Sequence, residues 1–288
     1  ESVPVESTSL RVRRDWHVAD IPNIGIAQWC GRKASFDTFD VINKRFLNQS
    51  GHHVAALFSG RSESLVSLHL YDTFLYDLET EINRSGGVDI INSSNFDFGQ
   101  VLRRTFLNCN RRLSTQPTPV RCGSTATVLY ILNGVAWVAN VGDTMAVLSR
   151  EGQALTLSTR HHAWSRPEIE RIRSLGGYVS ANGLFAGELD ICRAFGYFHL
   201  LPYVNANPSI SQTTLTDRDE FIIIASYELW TFITYQMAVD LVRQFPKDPT
   251  HGAYQLRDLA ISYGASKSIT VLVFDLRDGT MNNTSTNN

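Results

Sequence analysis

"CGSTATVLYILNGVAWVANVGDTMAVLSREGQALTLSTRHH", Cys122 to His162, holds three short runs rich in β-branched and aromatic residues: "TATVLYIL", "AWVANV" and "MAVLS". Runs of this length and composition fit pleated, buried strands. Asn133-Gly134 separates the first two. Both residues tolerate positive φ, so the pair predicts a type I′ hairpin and antiparallel pairing. The same strand signature recurs upstream as "VAALF" from Val54 and downstream as "EFIIIAS" from Glu220 and "ITVLVFDL" from Ile269.

Between the strand runs the period changes. From Glu63 to Asn83, Leu68, Tyr71, Leu75, Leu78 and Ile82 recur at helical steps, and Val101, Thr105, Phe106, Cys109 and Leu113 do the same. Ser165 is placed to cap a third helix, with Pro167 in its first turn, Ile169, Ile172 and Leu175 on one face and Gly176 at its end. Thr234 is placed to cap a fourth through Ala238, Leu241 and Val242, and a fifth is expected from Ala253 to Tyr263. Strands come in hairpins and helices in pairs, not in β-α-β alternation. The expected class is α+β: antiparallel sheets with helices packed outside.

The chain has 288 residues, is 43% hydrophobic and 19% charged, and carries a net charge of −2. That is enough apolar residue for a sizeable core. No Lys/Arg run marks a nucleic-acid surface, and no apolar stretch reaches the ~20 residues of a membrane helix. The opening "ESVPVESTSLRVRRDWHV" has no signal-peptide apolar region and starts without Met, so it reads as a segment of a longer protein. Residues 1–22 are expected to form an arm, 23–277 the folded domain, and the polar 278–288 a disordered tail. Cys30, Cys109, Cys122 and Cys192 form no C-x-x-C pair, which argues against a zinc site and for free thiols in a reducing, cytoplasmic compartment. Without a secretion signal the N-x-S/T triplets at Asn48, Asn83 and Asn92 read as unused.

The Cys122–His162 block closely resembles the type 2C, metal-dependent Ser/Thr protein phosphatases. The likeness continues, in family order, through "RPEIERIRSLGGYV", "GELDICRAFGY", "DEFIIIASYELW" and "GASKSITVLVF", and covers about residues 23–277. It implies a β-sandwich of two antiparallel sheets flanked by pairs of antiparallel helices, in agreement with the strand and helix periods. It also implies chemistry in which aspartates hold two metal ions and a bridging water attacks phosphate.

Position by position, the ligands implied by the resemblance are gone. The family's F-D-G-H turn is Phe58-Ser59-Gly60-Arg61. Its A-S-D-G-L-W-D is Ala225-Ser226-Tyr227-Glu228-Leu229-Trp230-Thr231. Its final D-N is Lys267-Ser268, and the Asp of its D-H turn is Arg160, with His161 retained. Arg193 is kept but its block ends in Tyr197, and Phe36 stands where an acid precedes Asp37. Arg32, where the family binds phosphate, persists with Asp37 and Asp143. Two neighbouring dications need several negative oxygens; here three core carboxylates become a hydroxyl, a phenol and an ammonium. The resemblance therefore implies a pseudophosphatase with no cofactor and no metal centre.

Other readings stay beside it. Arg32, Arg61, Arg160 and Lys267 could form an anion or phosphopeptide site, or could neutralise Asp37 and Asp143. A divergent phosphatase could hold one metal with Asp37, Asp143 and Glu228, against the charge of Lys267. Asp143 reads as a turn residue. His161 and His162, being adjacent, are expected to point apart and to share no metal, and His52-His53 reads the same way. Trp230 and Phe232 read as packing residues, and Trp164 as a contact residue if exposed. Within the family, "GIAQWCGRK" resembles the phosphatase-like domain of fungal adenylyl cyclases, with the leucine-rich-repeat phosphatases as the alternative. That likeness implies a regulatory or scaffold role in the cAMP pathway. The implied partners are the rest of the parent chain and Ras-type GTPase signalling, at the inner membrane face but without membrane insertion.

Overall fold

A computed structural model describes residues 24–277, apart from Ala34, Ser50, Ser62, 94–95 and 118–120. The expected arm at 1–22 and tail at 278–288 lie outside the described residues. Strands β1 (Ile24–Trp29), β2 (Thr38–Asn43) and β3 (His52–Arg61) precede helices α1 (Leu65–Arg84), α2 (Val88–Ile91) and α3 (Phe98–Leu113). Then come β4 (Gly123–Leu132), β5 (Val135–Val141), β6 (Met145–Arg150), β7 (Gln153–Thr156), α4 (Arg166–Ser174), β8 (Phe195–Gly196), β9 (Ser209–Thr214) and β10 (Asp219–Ala225). Helices α5 (Tyr227–Phe232), α6 (Tyr235–Val242) and α7 (Pro249–Ser262) lead to β11 (Ile269–Asp275). One sheet runs β1-β11-β10-β6-β7. The other runs β2-β3-β4-β5-β9, with β8 paired to β4. Every pairing between these strands is antiparallel.

Three apolar layers explain why β4 is buried along its whole length and shows no polar alternation. Leu129 and Ile131 face the other sheet, where they meet a cluster that includes Leu148, Ile222, Ile224, Leu272 and Phe274. Ala126, Val128 and Tyr130 face α1 and α3. On the far side, β6, β10 and β11 pack against α5, α6 and α7 through Leu229, Val239, Leu256 and their neighbours. The order helices, sheet, sheet, helices follows from period-2 burial on strands that are covered on both faces.

The type I′ turn is present: Asn133 and Gly134 both have positive φ, 48° and 79°. Thr234 caps α6 by accepting from the Met237 amide at 3.2 Å. Ser165 sits at the N-cap of α4 in extended backbone but makes no side-chain cap bond. Helix α7 starts at Pro249, earlier than the apolar period indicated, because Asp248 accepts from the His251 amide and Pro fits the first turn. A side chain at Gly25 would strike the Pro249 carbonyl, so glycine lets β1 pass the start of α7. The buried stripe of α1 is also displaced. Val66, Leu70, Phe74, Leu78 and Ile82 are buried, whereas Leu68, Tyr71 and Leu75 are only partly so. The ring of Phe74 lies 5.4 Å from that of Phe58 and 5.6 Å from that of Phe106, which fixes this stripe as the one that faces the sheet.

Phe74→Ala is expected to lower the unfolding free energy by about 3–5 kcal/mol in a urea titration. Tyr76→Ala, at a position 67% exposed, is expected to stay within about 0.5 kcal/mol of the native chain. Equal losses would contradict the assigned stripe.

Candidate functional site

One end of the sandwich carries a cleft of about 280 Å³. It forms where β3 and β10 finish and β2 and β11 begin. Ser59, Gly60 and Arg61 enter from β3; Ser226, Tyr227 and Glu228 from the β10–α5 junction; and Lys267 and Ser268 from the approach to β11. Asp37, Asp143, Glu188, Leu189 and Tyr197 complete it. Strand register fixes these positions, with Thr38 opposite Ser59 and Arg61 opposite Gly123. The Gly60 amide donates to the Asp37 carbonyl at 2.7 Å and ties the two walls together.

Cations hold the acids of the cleft. Arg61 donates through Nη1 to Asp190 at 2.6 Å and through Nη2 to Asp143. Asp143, in the β5–β6 turn, is 1% exposed. Its carboxylate is used by Arg61 and not by its own turn. Burial alone would lower the Arg61 pKa, but Asp143 and Asp190 outweigh it and the net shift is upward. Lys33 pairs with Asp37 Oδ2. The Arg61 guanidinium lies over the Tyr227 ring, 5.6 Å from its centroid, and the Lys267 ammonium 5.8 Å from the same centroid. The face of this ring attracts cations.

The four residues proposed for an anion site divide. Arg61 and Lys267 line the cleft; Arg32 and Arg160 do not. Arg160 turns toward α5 and α6, donating to the Trp230 carbonyl at 3.5 Å and lying 5.5 Å from the Tyr235 ring centroid. Arg32 is exposed, and its backbone amide donates to the Ser266 carbonyl. Glu228 is not free to swing toward a metal. It is buried, and its Oε1 accepts from the amides of Ser266 and Lys267 at 2.7 and 2.9 Å. Ser268 donates to the Cys30 carbonyl at 3.1 Å. Arg193 is spent outside the cleft, on Glu168.

His161 and His162 do point apart. His161 Nδ1 accepts from the Gly142 amide at 3.1 Å and Nε2 meets Ser209 Oγ at 2.8 Å. Burial, aided by Arg193, pushes its pKa down to about 3, so the ring is neutral. His162 turns to the cleft side, where a ring nitrogen lies within 4.8 Å of carboxylate oxygens of Asp143 and Asp190. The bridge between His162 and Ile191 that accompanies the inward turn of His161 sets His162 beside the two acids. Trp164 is 50% exposed and stacks on His162 at 4.1 Å. Trp230 is buried and donates to the Ala225 carbonyl at 3.0 Å, as a packing residue. Sequence reasoning missed Lys33 and Asp190. Neither left a signal: Lys33 and Asp37 lie in a non-helical stretch, where i,i+4 spacing does not pair side chains, and Asp190 is 129 residues from Arg61.

A model of the family described as "Protein phosphatase 2C" matches residues 40–269. The chain belongs to the protein phosphatase 2C family. It is 34% identical to an adenylate cyclase of Mycosarcoma maydis over 96% of its own length and 13% of that protein. It is 33% identical to an adenylate cyclase of Lachancea kluyveri over 95% of this chain and 16% of that one. The chain thus spans a small part of these cyclases, and 58% of a probable protein phosphatase 2C of Oryza sativa to which it is 31% identical over 78% of its own length. Among solved structures, a C. elegans sex determining protein superposes with a TM-score of 0.78 at 18% identity, covering 88% of this chain and 64% of that one.

The binuclear metal centre expected of a protein phosphatase 2C does not fit these residues. The three expected ligand positions offer a neutral hydroxyl, a phenol whose ring faces two cations, and an ammonium. Asp143 is already paired with Arg61 and Asp37 Oδ2 with Lys33, which leaves Asp37 Oδ1 as a single unpartnered oxygen among these two, too little for two dications. Hard dications need negative oxygens that are free to bind.

A pH dependence follows from His161. Its folded pKa is depressed, so the unfolded chain takes up the proton first, and stability falls as pH drops below the unfolded value of 6.5 toward about 3. Between pH 7 and pH 5 this residue accounts for a loss of about 2 kcal/mol. His161→Gln is expected to flatten the urea-derived pH profile by that amount; an unchanged slope would refute the assignment.

Proposed function

We propose that this domain is a non-catalytic, phosphatase-like regulatory or scaffold module of a larger signalling protein, an adenylate cyclase. The carrying observation is the Arg61 guanidinium bound to both Asp143 and Asp190. Positive charge stands in the cleft where the family's reaction requires metal, and Asp143 is engaged in holding it. A preserved sandwich around such a cleft is suited to binding rather than to phosphate hydrolysis. The cyclase reading is supported by identity that extends over almost the whole of this chain while covering a minor part of the cyclases. In that setting its partners are the other domains of the parent chain and Ras-type GTPase signalling at the inner membrane face. Among the described residues no helix is long and apolar enough to cross a membrane.

A second reading is supported by Lys267. Its exposed ammonium makes no ion pair among the described residues and sits near the Tyr227 ring. With Arg61 it offers a small cationic wall for a phosphorylated or acidic peptide, without Arg32 or Arg160.

Calorimetric titration with Mn²⁺ and Mg²⁺, together with an aryl phosphate hydrolysis assay on the same sample, tests the main reading. The expected result is neither cleft binding at millimolar metal nor turnover. Turnover that Asp143→Ala abolishes would overturn it and restore the divergent phosphatase.

A further inference from the structure

Asp143, His162 and Asp190 come from three separate segments, yet their ligand atoms all lie within 4.8 Å of one another. Main-chain bonds hold the three segments together independently of Arg61. The His161 amide donates to the Gly142 carbonyl at 2.9 Å, next to Asp143. The Ala163 amide donates to the Asp190 carbonyl at 2.8 Å, and the Cys192 amide to the His161 carbonyl at 3.0 Å. His162 and Ile191 form an isolated antiparallel bridge. His162 is 7% exposed, and its Nδ1 is buried without a hydrogen-bond partner among the described residues. One imidazole and two carboxylates whose ligand atoms lie within 4.8 Å of one another make a candidate three-ligand set for a borderline divalent ion, one that needs small side-chain shifts to close on it.

We propose that Asp143, His162 and Asp190 are a preformed cage for a single Zn²⁺- or Co²⁺-type ion, and that Arg61 is the resident cation that fills it in the native chain. This deepens the reading in which Arg61 supplies the positive charge of the cleft. His162 and Asp190 are not positions at which the family resemblance placed ligands. The guanidinium binds both carboxylates, and His162 Nδ1 is left without a hydrogen-bond partner among the described residues. A metal ion would satisfy all three but must displace an Arg whose charge is stabilised by the same acids. Without the guanidinium, the backbone bonds keep the ligands in place and only their mutual repulsion opposes the cage.

The test is Arg61→Met, titrated with ZnCl₂ by calorimetry and with CoCl₂ by visible absorption, beside the native chain. The expected result is Zn²⁺ binding at least tenfold tighter than native, with Co²⁺ d–d bands absent from the native sample. Adding Asp143→Asn to Arg61→Met is expected to lose at least tenfold. ZnCl₂ is expected to raise the midpoint of thermal unfolding of Arg61→Met but not of the native chain. Arg61→Gln, which keeps hydrogen bonds to the carboxylates without the charge, provides the same comparison if the Met variant does not fold. Binding no tighter than native in both variants, or binding that survives Asp143→Asn, overturns the cage. Neither result touches the assignment of function, which fails instead if the native chain binds metal in the cleft and turns over.

Discussion

A guanidinium clasped between two carboxylates at the end of a rigid strand governs the chemistry of the cleft. Arg61 is the last residue of β3, Asp143 is almost fully buried, and Asp190 stands at the rim. Moving charges out of water is costly, so such a group persists only while its partners stay. Each acid left without Arg61 would face the other across a small, partly dry space. The ion pairs therefore do two things at once. They keep the two acids compatible with the fold, and they set a positive charge beside them. Tyr227 reinforces this, since its ring faces Arg61 and Lys267 and no carboxylate.

The sandwich makes this arrangement possible. Antiparallel strands that start or finish at one end bring residues from four distant parts of the chain to a single cleft. The register of β3 with β2 and β4 sets where Ser59 and Arg61 emerge. Because both faces of the central strands are covered by helices or by the other sheet, those strand ends have little freedom to shift. Change at the cleft can therefore be confined to a few side chains while the core stays closed. Glu228 illustrates the point: an acid next to a position where the family resemblance implies a ligand clamps the backbone before β11.

Much of this was legible in the sequence. The long buried strands β4, β5, β6, β10 and β11 announce themselves by β-branched content, and the Asn133-Gly134 turn by its chemistry. Strands β1, β2, β7 and β9 were not recognised, because they are half-buried edge or near-edge segments with mixed side chains. Ser59, Arg61, Tyr227 and Lys267, which the order of short motifs assigns to one site, line one cleft. The same order misplaced Arg160 and Arg32, since a motif position fixes a Cα but not the direction of a long side chain. Asp190 escaped altogether. Its role depends on the loop after α4 folding back against the residues after β7, and pairing across such a sequence distance leaves no local pattern.

The chemistry of the cleft turns on Arg61, which pairs with Asp143 and Asp190. The most direct measurement of that is a crystal structure of the chain grown in millimolar MnCl₂, with an anomalous difference map. The expected map has Arg61 bridging Asp143 and Asp190, and no manganese peak within bonding distance of Asp37, Asp143 or Glu228. A manganese peak on Asp143 with Arg61 displaced would contradict it.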